Sequence, residues 1–90
     1  MMKVEFLPRF IKDLKALKSS SSYAEIKRVA FEEIPSKESL SDLKNVKKLK
    51  AFDTAYRLRV GDYRIGFFWD DETVIFSRVL HRSKIYKYFP

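Results

Sequence analysis

The chain has 90 residues, of which 46% are hydrophobic, and a net charge of +7 at pH 7. This length allows one small domain over residues 1–90 with a single core, and the apolar fraction argues against wholesale disorder. The chain has one histidine and no cysteine, which excludes disulfides and thiol catalysis and argues against a transition-metal site. No apolar run approaches the ~20 residues of a membrane span, and the N-terminus lacks an apolar signal region. We therefore expect a cytoplasmic protein with no cofactor and no membrane partner.

The first half of the chain predicts a short strand followed by two helices. Apolar and charged residues alternate over residues 2–6, as in a strand. Pro8 suits the first turn of a helix, whose apolar residues recur at helical spacing: Phe10, Ile11, Leu14 and Leu17. A second helix is predicted to begin at Ser22, in a capping box with Glu25, and to end at Pro35. Because few residues join the two helices, we expect an antiparallel helical hairpin.

The second half predicts mainly strands. A short helical turn capped by Ser39 is expected first, and the basic stretch 46–52 suits either a loop or a short strand. Three strands of a meander follow, over about residues 55–60, 63–69 and 73–79. The acidic turn 70–72 leaves the register of the last strand open, and the tail 81–90 suits a last helical turn. Together these elements predict an α+β fold, with an N-terminal strand and a helical hairpin packed on one face of a small antiparallel sheet.

The segment YRLRVGDYRI at residues 56–65 predicts a tight β-hairpin. Gly61 at the first position of a two-residue loop suits a type II′ turn, which fixes the register. The register pairs three sets of residues: Val60 with Tyr63, Arg59 with Arg64, and Leu58 with Ile65. The apolar members then share one face of the sheet, and Arg57, Arg59 and Arg64 share the other.

Arg59 and Arg64 would be directly opposed like charges, an arrangement that is unfavourable by itself. A sheet that tolerates such a pair is expected to bind an anion there. Phosphate is the leading candidate, because the planar guanidinium can bind it through two parallel hydrogen bonds. The alternative is that the arginines form an ordinary solvated sheet face.

The order of these segments carries a family resemblance. A first strand, the helical hairpin with FIKDLKAL, then LKAF, YRLRVGDYRI and a closing VLHRSKIYKYF follow one another. The chain thereby resembles the RelE/ParE superfamily, especially the RelE-type toxins of type II toxin–antitoxin systems. The resemblance implies a single RelE-like toxin domain that acts as an mRNA endoribonuclease in the ribosomal A site, inhibits translation and is neutralised by a cognate antitoxin.

The resemblance also implies roles for individual residues. Arg57 and Arg59 match the two basic positions before the hairpin turn, and Arg64 matches the arginine after it. Arg82 matches the basic position after the last strand, and Tyr86 or Tyr88 matches the C-terminal tyrosine. In RelE itself the first two positions are lysines. Arginine does not readily deprotonate, so His81 is a candidate for proton transfer, as a histidine is in some relatives.

Metal-independent RNA cleavage by attack of the 2′-hydroxyl needs an acid, a base and cations around the transition state. We expect Arg59, Arg64 and Arg82 to supply the cations. Histidine is the residue type that ordinarily titrates near neutrality, so His81 is the candidate acid or base, with Tyr86 or Tyr88 as the alternative. An ordinary surface role for His81 remains the competing interpretation.

Other residues are candidates for binding RNA. Arg57 suits a flanking phosphate, and Lys48 and Lys50 suit the RNA backbone, although such lysines are often only a solvated run. Phe68 falls on the arginine face by alternation, where it could stack on a base or pack under the C-terminal tail. Tyr88 could likewise stack on a base or pack against the sheet edge.

Two alternatives to the nuclease follow from the same resemblance. A ParE-like toxin would inhibit DNA gyrase by binding and would need no nuclease centre, and one fold can serve both functions. A catalytically silent relative would bind only RNA or its antitoxin, which the arginines at the two lysine positions would permit.

Overall fold

The computed structural model describes residues 2–90, which form one five-stranded sheet in the order β1-β5-β4-β3-β2. The strands are β1 (Lys3–Phe6), β2 (Val46–Lys48), β3 (Ala55–Val60), β4 (Tyr63–Asp70) and β5 (Thr73–His81). The helices are α1 (Pro8–Ala16), α2 (Tyr23–Arg28), α3 (Ile34–Ser36) and α4 (Ile85–Tyr88). None of the helices in residues 2–90 is long and apolar enough to span a membrane.

The sheet is antiparallel except at one edge. Strands β3 to β5 form the predicted antiparallel meander. Strand β2 pairs antiparallel with β3, whereas β1 pairs parallel with β5. The helical segment between β1 and β2 carries the chain from one edge of the sheet to the other, which places these two short strands at opposite edges. The stretch that suited either a loop or a strand therefore supplies the edge strand β2.

The register of the first hairpin is confirmed. Arg59 pairs with Arg64, and the turn between the strands has Gly61 at a φ of 59°. Glycine adopts this left-handed conformation without a steric penalty. The second hairpin also has a two-residue turn, because Asp70 pairs with Thr73, and both of its loop residues have positive φ. This turn settles the register that the sequence left open.

The second helix begins where predicted but without the predicted capping box. The Ser22 side chain makes no capping hydrogen bond, because its backbone is helical rather than extended. Glu25 instead accepts hydrogen bonds from Arg28, whose guanidinium lowers the pKa of that carboxyl. The chain also stays helical past Pro35, through a π-helical turn over Val29–Glu33. The wider turn suits a proline, which cannot donate a hydrogen bond and crowds the preceding turn.

Apolar side chains pack on both faces of the sheet. The main core lies between the sheet and the helices α1, α2 and α3, where Phe10, Ile26, Ile34, Ile65 and Phe76 are fully buried. A smaller cluster lies on the opposite face, where Ile85 and Phe89 of the tail cover Ala55. The tail covers only part of this face, and the arginines predicted to share a face occupy the remainder.

Candidate functional site

The uncovered part of the outer sheet face forms a cleft of about 340 Å³, which we call the arginine cleft. Strand alternation places its basic residues side by side, because Lys47 opposes Arg57 in one ladder and Arg59 opposes Arg64 in the next. Helix α4 closes one side with Tyr86. The cleft is lined by Asn45, Val46, Lys47, Arg57, Arg59, Arg64 and Tyr86.

Neutral groups orient the opposed arginines. An Nη2 donor of Arg59 lies 3.3 Å from Oδ1 of Asn45, and Nη1 of Arg64 donates to the Gly61 and Tyr63 carbonyls, each at 3.0 Å. Within residues 2–90, neither arginine forms an ion pair with a carboxylate. A guanidinium has five N–H donors, so most donors of this pair are free for an incoming anion.

Tyr86 lies against the third arginine. The guanidinium carbon of Arg57 is 4.3 Å from the centroid of the Tyr86 ring, which is within the range of a cation–π contact. The tyrosine is nevertheless 66% exposed. The contact therefore holds an accessible phenol beside the cleft's cations, where it can meet a bound ligand.

The two other predicted catalytic residues lie outside the lining of the cleft. Arg82 is exposed after β5, and its backbone N–H donates to the Asp62 carbonyl at 2.8 Å, beside the hairpin turn. His81 pairs with Tyr63 and so lies on the face of the sheet that carries the helices. Its Nδ1 accepts a hydrogen bond from the Ser83 amide at 3.1 Å. A separate cavity of about 270 Å³ lies between His81 and helix α1. Their catalytic roles stay predictions.

The lysine in the cleft is one that the sequence did not single out. Lys48 opposes Tyr56, which packs against the main core, whereas its neighbour Lys47 opposes Arg57 in the cleft. Lys50 is exposed in the turn after β2. The sequence would point to Lys47 only if the pairing of β2 with β3 were known. That pairing could not be predicted, because residues 46–52 suited either a loop or a strand.

The remaining aromatic candidates lie beside the cleft or away from it. Phe68 is half-buried and its ring centroid is 5.2 Å from that of Phe89, so it packs under the C-terminal tail. Tyr88 is exposed near Arg78, at 5.7 Å from ring centroid to guanidinium. Asp13 of α1 holds Arg78 through two hydrogen bonds and raises its pKa. Between the two tyrosines that the sequence left open, only Tyr86 lines the arginine cleft.

Comparison with known proteins places this fold among bacterial and archaeal toxins. Residues 4–86 match the family described as ParE toxin of type II toxin–antitoxin system, parDE. Toxin RelE3 of Methanocaldococcus jannaschii is 48% identical over 90 residues, covering 99% of this chain and 100% of the relative. Putative toxin RelE1 of the same organism is 35% identical over 89 residues, covering 93% of each chain. The chain therefore belongs to the RelE/ParE superfamily of type II toxins, and its relatives are of the RelE type.

Solved structures agree with this assignment. The RelB–RelE antitoxin–toxin complex from Methanococcus jannaschii aligns with a TM-score of 0.77 and 45% identity, covering 96% of this chain and 99% of that chain. The RelBE2 complex from Mycobacterium tuberculosis aligns with a TM-score of 0.69 and 28% identity, covering 90% and 98%. The E. coli DinJ–YafQ complex shares the fold at 17% identity, with a TM-score of 0.75 and coverage of 96% and 99%.

Proposed function

We propose that this toxin is an mRNA endoribonuclease that cuts messages in the ribosomal A site without a metal ion. The observation that supports the proposal most strongly is the arginine cleft itself: two opposed arginines without a carboxylate partner in residues 2–90, next to a third arginine and an exposed tyrosine. Like charges held together in this way favour a polyanion, and RNA is the polyanion on which a RelE-type toxin acts.

In the proposed reaction the 2′-oxygen of one nucleotide attacks the adjacent phosphorus. A bond forms between these two atoms, and the bond from phosphorus to the 5′-oxygen of the next nucleotide breaks. One group takes the proton of the 2′-hydroxyl and another protonates the departing oxygen. Arg59 and Arg64 stabilise the extra negative charge on the phosphoryl oxygens, and Arg57 binds a flanking phosphate.

Tyr86 is the proton-transfer candidate that lies in the arginine cleft. Its ring is accessible and next to Arg57, so its phenol can reach a phosphate that the arginines hold. His81 lies on the opposite face of the sheet, at the end of β5, and could take part only from there. We therefore assign the acid step to Tyr86. The roles of His81 as the group that takes the 2′-hydroxyl proton and of Arg82 as a cation near the phosphate stay proposals.

We further propose a cognate antitoxin as the partner that silences the toxin in the cytoplasm. Both the RelB–RelE and the DinJ–YafQ structures are complexes of a toxin with an antitoxin. The net charge of +7 on this chain favours an acidic or amphipathic partner that wraps the basic surface. Such a partner would compete with RNA for the arginine cleft.

A gyrase inhibitor is the second candidate, because the matching family model is of the ParE type. The deciding experiment adds purified protein to a cell-free translation reaction and maps mRNA 5′ ends by primer extension. Cuts within codons that appear only while ribosomes translate the message would support the nuclease. Blocked growth of cells that express the toxin, with intact mRNA and accumulating gyrase–DNA cleavage complexes, would favour the gyrase inhibitor. The absence of both effects would indicate a silent relative.

A further inference from the structure

Gly66 in β4 is required by space rather than by backbone conformation. It lies on the cleft side of the sheet, directly opposite Arg57 on one neighbouring strand and Arg78 on the other. A Cβ atom at this position would lie 2.5 Å from Cγ and from Cδ2 of Phe89, which is closer than real Cβ atoms approach other heavy atoms. Any side chain at position 66 would therefore displace the Phe89 ring.

The Phe89 ring anchors the end of the C-terminal tail. Phe89 is 4% exposed and packs with Ile85 and Ala55, and its N–H donates to the Ile85 carbonyl at 2.9 Å. Helix α4 spans only four residues. A helix of this length is not stable on its own. Its position therefore depends on the burial of Ile85 and Phe89 against the sheet.

Helix α4 carries Tyr86 between these two anchors. Ile85 and Phe89 point into the sheet, and Tyr86 projects over Arg57 at the mouth of the cleft. The phenol is thus placed by residues that do not line the cleft themselves. A tail freed at Phe89 would release Tyr86 from Arg57, whereas the arginines on β3 and β4 would stay in place.

We propose that Gly66 is a positioning residue, which acts through Phe89 to hold Tyr86 over Arg57. The inference rests on the proposed function in its catalytic consequence, because it assigns Tyr86 a part in the bond-breaking step. The competing interpretation is that Gly66 and Phe89 contribute only to the stability of the fold. The two interpretations differ in what happens when Tyr86 has already lost its hydroxyl.

The test compares Gly66→Ala and Phe89→Ala in the wild-type background and in a Tyr86→Phe background. Gly66→Ala blocks the space for the ring, and Phe89→Ala removes the ring, so the second variant serves if the first fails to fold. Ile26→Ala is the matched control, since it removes a fully buried side chain from the main core on the other face. Cleavage of ribosome-bound message is measured at a temperature at which circular dichroism shows every variant folded.

We expect Gly66→Ala and Phe89→Ala to lower the rate at saturating substrate by ~10- to 100-fold, as expected for a displaced catalytic group, with little change in KM. Neither substitution should lower the rate further in the Tyr86→Phe background. Both should speed amide hydrogen exchange over residues 85–89, and Ile26→Ala should change neither this exchange nor the cleavage rate. An equal loss in both backgrounds, or a loss shared by Ile26→Ala, would overturn the proposal.

A wild-type protein that leaves the message intact would refute the nuclease instead. The amide exchange rates would then test separately whether Gly66 holds the C-terminal tail in place. Faster exchange over residues 85–89 in Gly66→Ala would still show that Gly66 holds the tail, and unchanged exchange would refute that claim as well.

Discussion

Lys47 and Lys48 are adjacent in β2 and lie on opposite faces of the sheet. Lys47 opposes Arg57 in the arginine cleft, and Lys48 opposes Tyr56 on the side of the main core. We predict that Lys47→Ala lowers affinity for single-stranded RNA several-fold and reduces the slope of log affinity against log salt by about 0.7, the value for one lost phosphate contact. Lys48→Ala, which makes the same change in net charge, should change both quantities much less.

Fluorescence anisotropy with a labelled RNA at several salt concentrations measures both quantities. Equal effects of the two substitutions would mean that the lysines act only through net charge, and that the arginine cleft is not where RNA binds.

The two tyrosines of α4 provide a second matched pair. Tyr86→Phe keeps the ring over Arg57 but removes the hydroxyl, whereas Tyr88→Phe makes the same change outside the cleft. Loss of a general acid typically costs ~10²-fold or more in rate, so Tyr86→Phe should slow single-turnover cleavage by about that factor. Tyr88→Phe should cut at nearly the wild-type rate. The reverse ranking would move the acid to Tyr88.

Individual residues were predictable from the sequence where a short-range rule fixed them. Alternation and the Gly61 turn placed Arg59 opposite Arg64, and the ladder confirms this. The face on which His81 lies depends on a bulge, since Gly66 pairs with Arg78 and the next residue of β4 pairs with Phe76. One extra residue in a strand reverses the face that each later side chain occupies. No glycine or proline in β5 marks the position of this bulge in the sequence.

The β4–β5 turn carries strain at Glu72, because aspartate tolerates the left-handed region but glutamate does not. Asp71 and Glu72 have φ angles of 47° and 68°, a region that costs most residues roughly 1–2 kcal/mol. We predict that Glu72→Gly raises the free energy of unfolding by about 1 kcal/mol, because glycine adopts this conformation without a Cβ clash. Urea denaturation measures the change.

Glu72→Ala is the control for this turn, because alanine removes the same charge but keeps the Cβ. It should leave the free energy of unfolding within about 0.5 kcal/mol of wild type, as for an ordinary surface substitution. Equal stabilisation by both substitutions would assign the effect to charge rather than to backbone conformation.

Whether a segment is a helix or a strand was more predictable than the residues at which it begins and ends. The capping box failed because the tight turn before α2 puts Ser22 in a helical conformation, which the spacing of Ser22 and Glu25 does not reveal. Strand β2 has only three residues, and such an edge strand depends on its partner rather than on its own sequence. Pairing with β3, which is distant in the sequence, therefore determines that residues 46–48 form a strand rather than a loop.

The whole molecule has its apolar and basic surfaces on different sides of one sheet. The helices α1 to α3 cover one face, and the tail covers part of the other and leaves the arginine cleft open. The fold class was predictable because the apolar periodicities of the segments agree with one another. The composition of the cleft was less predictable, since its residues come from three strands, a loop and the tail.

The arginine cleft is proposed to cut the message on the ribosome. The most direct measurement is the single-turnover rate of cleavage of ribosome-bound message by Arg64→Ala and by Arg9→Ala. Both substitutions remove one arginine, but Arg9 lies exposed on α1, away from the cleft. We predict that Arg64→Ala cuts ~10²- to 10³-fold more slowly, as for removal of a donor to the transition state, and that Arg9→Ala cuts within about twofold of wild type, as expected for a residue that does not touch the reacting atoms. Cleavage by Arg64→Ala at the wild-type rate would show that the arginine cleft is not the nuclease centre.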